Sequence, residues 1–251
     1  MISAIEHIRA HSSPMEPLPT GEPSRLPSLS GLRALAFDIY GTLVVSGSGD
    51  IGVTDAKDIT AVLHELLVEC GAKAPPASPT TELHRLIKRS QDISRHEGIE
   101  HPEVDILEIW EQLLALSEAP IPDRNTLQRI ATTYEMATNP VWPMPGAREV
   151  ISQARERGFE LAIVSNAQFY TPLLFEAFWE TSLEELGFKP SLCFFSYLSK
   201  QAKPGTFLYR SLSHALSQRG ISPHETLYVG NDMLKDIHPA ASLGFRTALF
   251  A

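Results

Sequence analysis

The stretch Arg33-Ala-Leu-Ala-Phe-Asp38-Ile-Tyr40-Gly41-Thr42 decides the fold of this chain. Residues 34–37 form a short apolar run, the run ends at an aspartate, and a turn that contains glycine follows. An apolar run of this length before turn residues is typical of a buried strand that ends in a tight loop. The stretch therefore predicts a strand that carries Asp38 at its carboxyl end.

From Pro140 onward, short apolar runs alternate with segments of helical period. The predicted strands are Glu160–Ser165, Leu192–Tyr197, Thr226–Gly230 and Phe245–Phe250, and the predicted helices are Ala147–Arg157, Thr171–Leu186, Gly205–Gln218 and Met233–Leu243. Strands that alternate with helices predict an α/β fold, in which a parallel sheet has helices on both faces.

Residues 47–139 interrupt this pattern, because their apolar residues recur with a helical period. The predicted helices are Thr54–Glu69, Thr80–Glu97, Glu103–Leu116 and Pro122–Met136. The segment therefore predicts an all-helical domain inserted into a core domain of residues 31–46 and 140–251. The proline-rich stretch Val141–Gly146 is predicted to be the hinge that returns the chain from the insert to the core.

Residues 1–30 hold five prolines and six serines, which predicts a flexible leader with a short helix at Ile2–Ala10 as its one ordered candidate. The 21 basic and 30 acidic residues give a net charge of −9, which argues against nucleic acid or an anionic membrane as partner. No apolar run is long enough to span a bilayer, and the two cysteines show neither disulfide nor zinc spacing. We therefore expect a cytoplasmic protein with a small anionic substrate; monomer and homodimer both stay open.

Polar side chains follow four of the predicted strands, and in an open α/β sheet the ligand lies outside the carboxyl ends of the strands. The residues at these strand ends are Asp38, Ser165, Asn166, Lys203, Asp232 and Asp236. A carboxylate can act as a nucleophile, and several carboxylates at one point usually require a hard cation such as Mg²⁺. The lysine can offset negative charge, and the hydroxyl can hold substrate oxygens.

Four motifs, in this order, resemble those of the haloacid dehalogenase superfamily. They are Phe37-Asp38-Ile-Tyr40-Gly41-Thr42-Leu43, Val164-Ser165-Asn166, Lys203-Pro204 and Val229-Gly230-Asn231-Asp232 with Asp236. The helical insert directly after the first motif is similar to the helical cap of the superfamily's subfamily I. The resemblance implies a Rossmann-like core with a helical lid over the site.

The resemblance also implies a role for each matching residue. Asp38 would be the nucleophile that forms a covalent intermediate, and Lys203 would neutralise the charge around it. Thr42, Ser165 and Asn166 would bind the oxygens of the substrate. The implied Mg²⁺ site consists of Asp38, the main-chain carbonyl of Tyr40, Asp232 and Asp236.

Tyr40 departs from the phosphatase pattern of the superfamily. Phosphatases usually have a second aspartate at this catalytic position, where it protonates the leaving oxygen, and tyrosine, with a pKa of about 10, is a poor replacement. The pattern Asp-x-Tyr-Gly-Thr is instead similar to that of 2-haloacid dehalogenases, whose halide leaves without a proton. Tyr209 matches a substrate-binding tyrosine of those enzymes, which also use a cap arginine. The candidates for that arginine are Arg85, Arg89 and Arg95.

The fourth motif favours the phosphatases, because dehalogenases of this type need no metal and carry fewer acids there. Asn231 stands at the first acidic position of the longer variant of this motif, which leaves the exact metal ligands open. We favour a hydrolase that cleaves a small phosphate ester with Mg²⁺ through an aspartyl intermediate. The alternatives are a metal-independent 2-haloacid dehalogenase and a non-catalytic member of the superfamily that binds a ligand or partner.

Overall fold

The computed structural model describes residues 4–47, 63–68, 71–73, 78–117 and 120–250. The strands within these residues are β1 (Ala34–Phe37), β2 (Val44–Ser46), β3 (Val141–Pro143), β4 (Glu160–Ser165), β5 (Phe188–Phe195), β6 (Thr226–Gly230) and β7 (Arg246–Leu249). Five of them form a parallel sheet in the order β5-β4-β1-β6-β7. The prediction of a Rossmann-like parallel α/β sheet is confirmed.

Helices flank this sheet and fill most of the insert. The α-helices are Ala4–His11, Pro79–His96, Ile106–Ala115, Arg124–Thr138, Ala147–Glu156, Leu173–Trp179, Ser196–Ser199, Phe207–Ser217 and His238–Ser242, with a 3₁₀ turn at Pro223–Glu225 and a π turn at Met233–Ile237. Residues 63–68 are also helical. In the described part of the chain, none of the helices is both long and apolar enough to cross a membrane.

Strand β1 lies at the centre of the sheet because its side chains suit packing on both faces. Ala34 and Ala36 are fully buried in a cluster with Leu208 and Leu212 of the helix Phe207–Ser217. On the opposite face, Phe37 packs in the cluster that contains Ile151 and Leu174. This alternation follows from the two-residue period of a strand. The main-chain N–H of Asp38 donates to Val229 O at 2.9 Å, so the aspartate stands at the centre of the sheet's carboxyl edge.

The described part of the insert has a hydrophobic core of its own. Its cluster joins Leu63 to residues of the helices Pro79–His96, Ile106–Ala115 and Arg124–Thr138. Trp110 is fully buried at its centre and meets the ring of Tyr134 edge to face, with 5.3 Å between ring centroids. Residues 54–62 and 69–70 of the first predicted helix lie outside the described residues. The boundaries of the cap domain stay a prediction.

The junction between core and insert is a two-stranded antiparallel ribbon that the sequence analysis did not predict. Strands β2 and β3 pair Val44 with Pro143 and Ser46 with Val141. Residues 141–143 are thus a strand at this junction, and their predicted role as a hinge stays a prediction. Proline is tolerated at the edge of a sheet, where one N–H can be missing. The ribbon therefore holds together the two segments in which the chain passes from the core to the insert and back.

Two predicted elements differ from the structure by four or more residues at one end. The helix predicted at Thr171–Leu186 ends at Trp179, because Glu180 adopts a left-handed φ of 54°. The strand predicted at Leu192–Tyr197 runs from Phe188 to Phe195. It ends there because the buried Ser196 begins a short helix and binds the main-chain N–H of Ala167 through its hydroxyl.

The helix Ala4–His11 shows that part of the leader is docked on the rest of the protein. Ile8 is fully buried in the core cluster. Arg9 Nε donates to Ala177 O at 2.6 Å, and His7 Nδ1 lies 3.2 Å from Thr133 Oγ1 of the helix Arg124–Thr138. This helix therefore connects an insert helix with a core helix.

We expect Ile8→Ala to lower the free energy of unfolding by about 2–5 kcal/mol, because it opens a cavity in a packed site. The matched control is Leu18→Ala, since Leu18 belongs to the same leader and is 91% exposed. The control is expected to change stability by less than about 0.5 kcal/mol. Urea denaturation of both variants measures the difference, and equal effects would contradict the docking of the helix.

Candidate active site

A cavity of about 160 Å³ lies at the carboxyl edge of the sheet, beneath the insert. The core contributes Asp38, Asn166, Lys203, Asp232 and Asp236 to its lining, and the insert contributes Glu103 and Glu135. Sequence analysis predicted a site at this edge. The structure brings most of the predicted catalytic and metal-binding side chains together there.

A buried lysine between two aspartates forms the base of the site. Lys203 Nζ lies 2.8 Å from Asp38 Oδ1 and 2.6 Å from Asp236 Oδ1. Ser165 Oγ also donates to Asp38 Oδ1, at 2.7 Å. These contacts occupy one oxygen of Asp38 and leave Oδ2 without a hydrogen-bond partner among the described residues. The free oxygen belongs to a residue that lines the cavity, as a nucleophile requires.

The protonation of this group depends on burial and on the ion pairs. Burial raises the pKa of the Asp38 carboxyl, while the Lys203 ammonium acts in the opposite direction. Burial alone would lower the pKa of Lys203, but the carboxylates of Asp38 and Asp236 hold that pKa above its usual value. Lys203 is therefore a fixed positive charge beside the free oxygen of Asp38.

Asp236 holds the lysine and the following loop in place. Its Oδ1 accepts hydrogen bonds from Lys203 and, at 2.9 Å, from the hydroxyl of Tyr228, and its Oδ2 accepts one from the main-chain N–H of Asp232 at 3.0 Å. Its side chain is only 1% exposed. Both oxygens are thus engaged by the protein, which does not fit the predicted role of Asp236 as a direct Mg²⁺ ligand.

Gly230 is required where this loop leaves β6. A Cβ at this position would lie 2.5 Å from Asp236 Cγ, so only glycine lets the carboxylate approach the strand. Gly41 has the same function in the first motif, because it adopts a φ of 78° and a Cβ there would collide with the side chain of Asn231. The two glycines therefore allow the first and fourth motifs to pack together.

Asp232 caps the turn that follows β6. Its Oδ1 accepts hydrogen bonds from the main-chain N–H groups of Leu234 and Lys235, at 2.7 and 2.8 Å. The turn is a π turn followed by the helix His238–Ser242, whereas one continuous helix had been predicted. Burial raises the pKa of the Asp232 carboxyl, but these N–H groups outweigh it and hold the pKa below its usual value.

The donors that remain free fit a hard cation. Asp38 Oδ2 and Asp232 Oδ2 are carboxylate oxygens without hydrogen-bond partners among the described residues, and both residues line the cavity. Mg²⁺ is commonly bound by one or two carboxylates together with water and substrate phosphate. Within the described ranges, no three acidic, histidine or cysteine side chains are grouped as a ready metal site. Tyr40 lines the cavity, and the role of its main-chain carbonyl stays a prediction.

Two of the predicted substrate-binding side chains already bind protein groups. Ser165 is fully buried and donates to Asp38. The Asn166 amide pairs with the main chain of Lys203, accepting from its N–H at 2.7 Å and donating to its carbonyl at 3.2 Å. Asn166 thereby fixes the loop that carries the lysine.

Thr42 and Tyr209 do not line the cavity, in contrast to their predicted role in substrate binding. Thr42 is buried in the turn after β1, and its hydroxyl has no hydrogen-bond partner among the described residues. Tyr209 is fully buried, packs edge to face on Tyr228 and donates its hydroxyl hydrogen bond to Lys235 O at 2.8 Å. Its helix turns the ring into the core, which makes it a packing residue.

Tyr40 reaches the cavity, but its hydroxyl is engaged elsewhere. The hydroxyl lies 2.9 Å from Thr171 Oγ1. Burial raises the pKa of Tyr40 well above its usual value, and the nearby carboxyls of Glu135 and Asp38 raise it further, despite the hydrogen bond to Thr171. The phenol is therefore a weaker acid than in water.

The insert side of the cavity is acidic, which the sequence analysis missed. Glu103 and Glu135 line it, together with Gln168 and Tyr170 from the loop after β4. Burial raises the pKa of both glutamates, against the hydrogen bonds that they accept. Tyr170 lies in the loop after a predicted strand, so the expectation that site residues follow the ends of strands could have found it. Nothing in the helical pattern singles out Glu135.

The predicted cap arginines do not line this cavity. Arg85 is half exposed and pairs with Glu82 of its own helix. Arg95 pairs with Asp92 in the same way, at 2.7 Å, and Arg89 is exposed. All three candidates therefore lie away from the site.

Comparison with known proteins agrees with this geometry. A family model described as haloacid dehalogenase-like hydrolase matches residues 32–244. The phosphoglycolate phosphatase of Pseudomonas putida is 26% identical over 224 residues, which cover 84% of this chain and 66% of that protein. The chain thus spans about two thirds of that relative's length.

Two solved structures show the same fold. A HAD family enzyme from Bacteroides thetaiotaomicron has a TM-score of 0.53 at 15% identity, over 88% of this chain and 95% of that one. A 2-haloacid dehalogenase from Pseudomonas syringae has a TM-score of 0.52 at 16% identity, over 87% and 86% of the two chains.

We expect Lys203→Met to lower the free energy of unfolding at pH 7 by about 3–5 kcal/mol, because it leaves buried carboxylates unpaired. The matched control is Lys200→Met, since Lys200 pairs with Glu108 at 2.7 Å on the surface. The control is expected to cost no more than about 1 kcal/mol. Chemical denaturation measures both values, and similar losses would be evidence against a buried charge cluster.

Proposed function

This chain belongs to the haloacid dehalogenase-like hydrolase family, and we propose that it hydrolyses a small phosphate ester through a covalent intermediate on Asp38. One observation carries the proposal: Lys203 and Ser165 hold Asp38 Oδ1, while Oδ2 stays free in a residue that lines the cavity. A carboxylate held in this way is oriented for attack on an electrophile.

In the proposed reaction, Asp38 Oδ2 attacks the phosphorus of the ester and the bond to the leaving oxygen breaks. Lys203 balances the negative charge beside Asp38, and Ser165 keeps the carboxylate oriented. Water then attacks the phosphorus of the aspartyl phosphate, which releases phosphate and restores the Asp38 carboxylate. Lys203 needs no proton transfer in either step.

The acidity of the site supports a role for Mg²⁺. Asp38, Asp232 and Asp236 lie with Lys203 and Lys235 in the core half of the lining, so three acids meet two lysines, and an ester dianion would add further negative charge. Asp38 and Asp232 would hold the cation. Bound there, Mg²⁺ would screen this repulsion and polarise a phosphoryl oxygen.

The lining of the cavity favours phosphate esters over 2-haloacids. A haloacid carries a carboxylate, and no arginine of the described residues lines the cavity to bind it. The same consideration favours esters without a carboxylate, unlike the phosphoglycolate in the name of the Pseudomonas putida relative.

Metal-independent dehalogenation is the second candidate, and Tyr40 is the observation that favours it. Displacement of a halide by Asp38 needs no proton on the leaving group. A tyrosine at the position of the second aspartate would therefore not slow that reaction. The fold similarity to the Pseudomonas syringae enzyme is compatible with either chemistry.

We expect phosphate release from a panel of small phosphomonoesters in Mg²⁺, with loss of release in EDTA. Asp38→Asn is expected to reduce the rate by at least about 10³-fold, because the amide is not a nucleophile. The control is Asp92→Asn, since Asp92 pairs with Arg95 on the surface and should leave the rate unchanged. Phosphate release is measured directly for each ester.

The same panel includes 2-haloacids, with halide release as readout. Halide release that depends on Asp38, without phosphate release from any ester, would overturn the proposal in favour of dehalogenation. Binding without turnover of either class would favour the non-catalytic alternative. Activity that EDTA does not affect would remove Mg²⁺ from the proposal.

A further inference from the structure

The residue two positions after Asp38 is a poor proton donor. Tyr40 occupies this position, its hydroxyl is bound to Thr171, and burial raises its pKa. When the phosphate ester of an alcohol is cleaved, the leaving group is an alkoxide, which needs a proton in the transition state. If the chain hydrolyses such esters, another group in the cavity has to supply that proton.

Glu135 is the group in the cavity whose surroundings suit this task. It stands near the end of the helix Arg124–Thr138, lines the same cavity as Asp38 and is only 7% exposed. The Asn139 amide donates to Glu135 Oε1 at 3.2 Å, and the Tyr170 hydroxyl also donates to the carboxyl. No lysine, arginine or histidine of the described residues forms an ion pair with it.

A buried carboxyl without a cationic partner favours its neutral form, because burial penalises the charge. Burial accordingly raises the pKa of Glu135, although Tyr170 and Asn139 oppose this effect. A protonated carboxyl can donate a hydrogen bond and then a proton. The glutamate and Tyr40 also lie close together, since the Glu135 charge affects the pKa of the Tyr40 hydroxyl.

Glu103 differs from Glu135 although it is also a buried glutamate of the lining. Glu103 Oε1 accepts from the main-chain N–H of Val104 at 2.9 Å, and Oε2 accepts from Ser196 Oγ at 2.8 Å. Both oxygens therefore hold the loop between the insert and the core. The donors to Glu135 are both side chains, Asn139 and Tyr170, and Tyr170 itself lines the cavity.

We propose that Glu135 is the acid–base residue of the site, in place of the aspartate that Tyr40 replaces, and that the substrates are phosphate esters of alcohols. This inference rests on the proposed phosphatase function. In the first step, Asp38 Oδ2 bonds to phosphorus, the P–O bond to the alcohol breaks, and the Glu135 proton moves to the leaving oxygen. In the second step, the Glu135 carboxylate takes a proton from the attacking water, and the P–O bond to Asp38 breaks.

The test compares two leaving groups in the Glu135→Gln variant. 4-Nitrophenolate is a stable anion and leaves without being protonated, whereas an alkoxide needs a proton in order to leave. We expect E135Q to release 4-nitrophenolate in its first turnover within about 3-fold of the parent rate, and to release the alcohol of the alkyl ester that the parent cleaves fastest about 10²-fold or more slowly. Later turnovers of both esters should slow alike, because the second step also needs Glu135. A purely structural role would slow the first turnover of both esters alike.

The matched control is Glu103→Gln, because Glu103 is a buried glutamate of the same cavity whose oxygens bind the protein. We expect E103Q to slow the two esters by the same factor. Equal slowing of first-turnover release from both esters in E135Q would overturn the proposal. So would a loss in E135Q that appears only for esters with an amino group, since Glu135 would then bind the substrate as an anion.

A second variant covers the case in which E135Q does not fold. Glu135→Asp keeps the acid and moves it by one methylene, so we expect first-turnover release from the alkyl ester to be slowed more than that from 4-nitrophenyl phosphate; equal slowing would overturn the proposal. The parent protein separates this inference from the proposed function. Failure of the parent to release phosphate from any ester overturns both, whereas normal release with an unselective E135Q overturns the role of Glu135 alone.

Discussion

A lysine ammonium buried between two carboxylates is the constraint on which the site depends. Lys203 meets Asp38 and Asp236 in a space from which water is largely excluded. Burying three charges is unfavourable unless each is paired and hydrogen-bonded. The hydroxyls of Ser165 and Tyr228 supply further hydrogen bonds to the two carboxylates. The cluster therefore forms only when the ends of β1, β4 and β6 and the lysine loop are all in place.

The two halves of the cavity differ in their chemistry. In the core half, Asp38 and Asp236 flank Lys203, and Asp232 and Lys235 also line the cavity, which suits a nucleophile and a hard cation. In the insert half, Glu103 and Glu135 lie without basic partners among the described residues, which favours neutral carboxyls. In the proposed reaction, the core half carries the nucleophile and the insert half carries the acid–base residue. The ribbon of β2 and β3 joins the two halves at the crossing.

Much of the fold was predictable because its signals are local. Apolar runs and helical periods located the five strands of the main sheet and the described insert helices, with errors at their ends. Those errors have tertiary causes. Glu180 ends a helix with a left-handed φ, and Ser196 ends a strand because its hydroxyl bonds to Ala167 and Glu103. The ribbon was missed because its two strands have only three residues each and are far apart in sequence.

The sequence by itself determined that Asp38 and Asp232 stand at strand ends and that Lys203 follows a strand of the same sheet, and parallel strands bring their ends to one edge. Only the tertiary structure decided which oxygens stay free. Asp236 is engaged by Lys203, Tyr228 and a main-chain N–H, Tyr209 turns into the core, and Glu135 enters the cavity from a distant helix. Local patterns depend on neighbours in the chain, whereas the availability of a side chain depends on contacts between residues far apart in sequence.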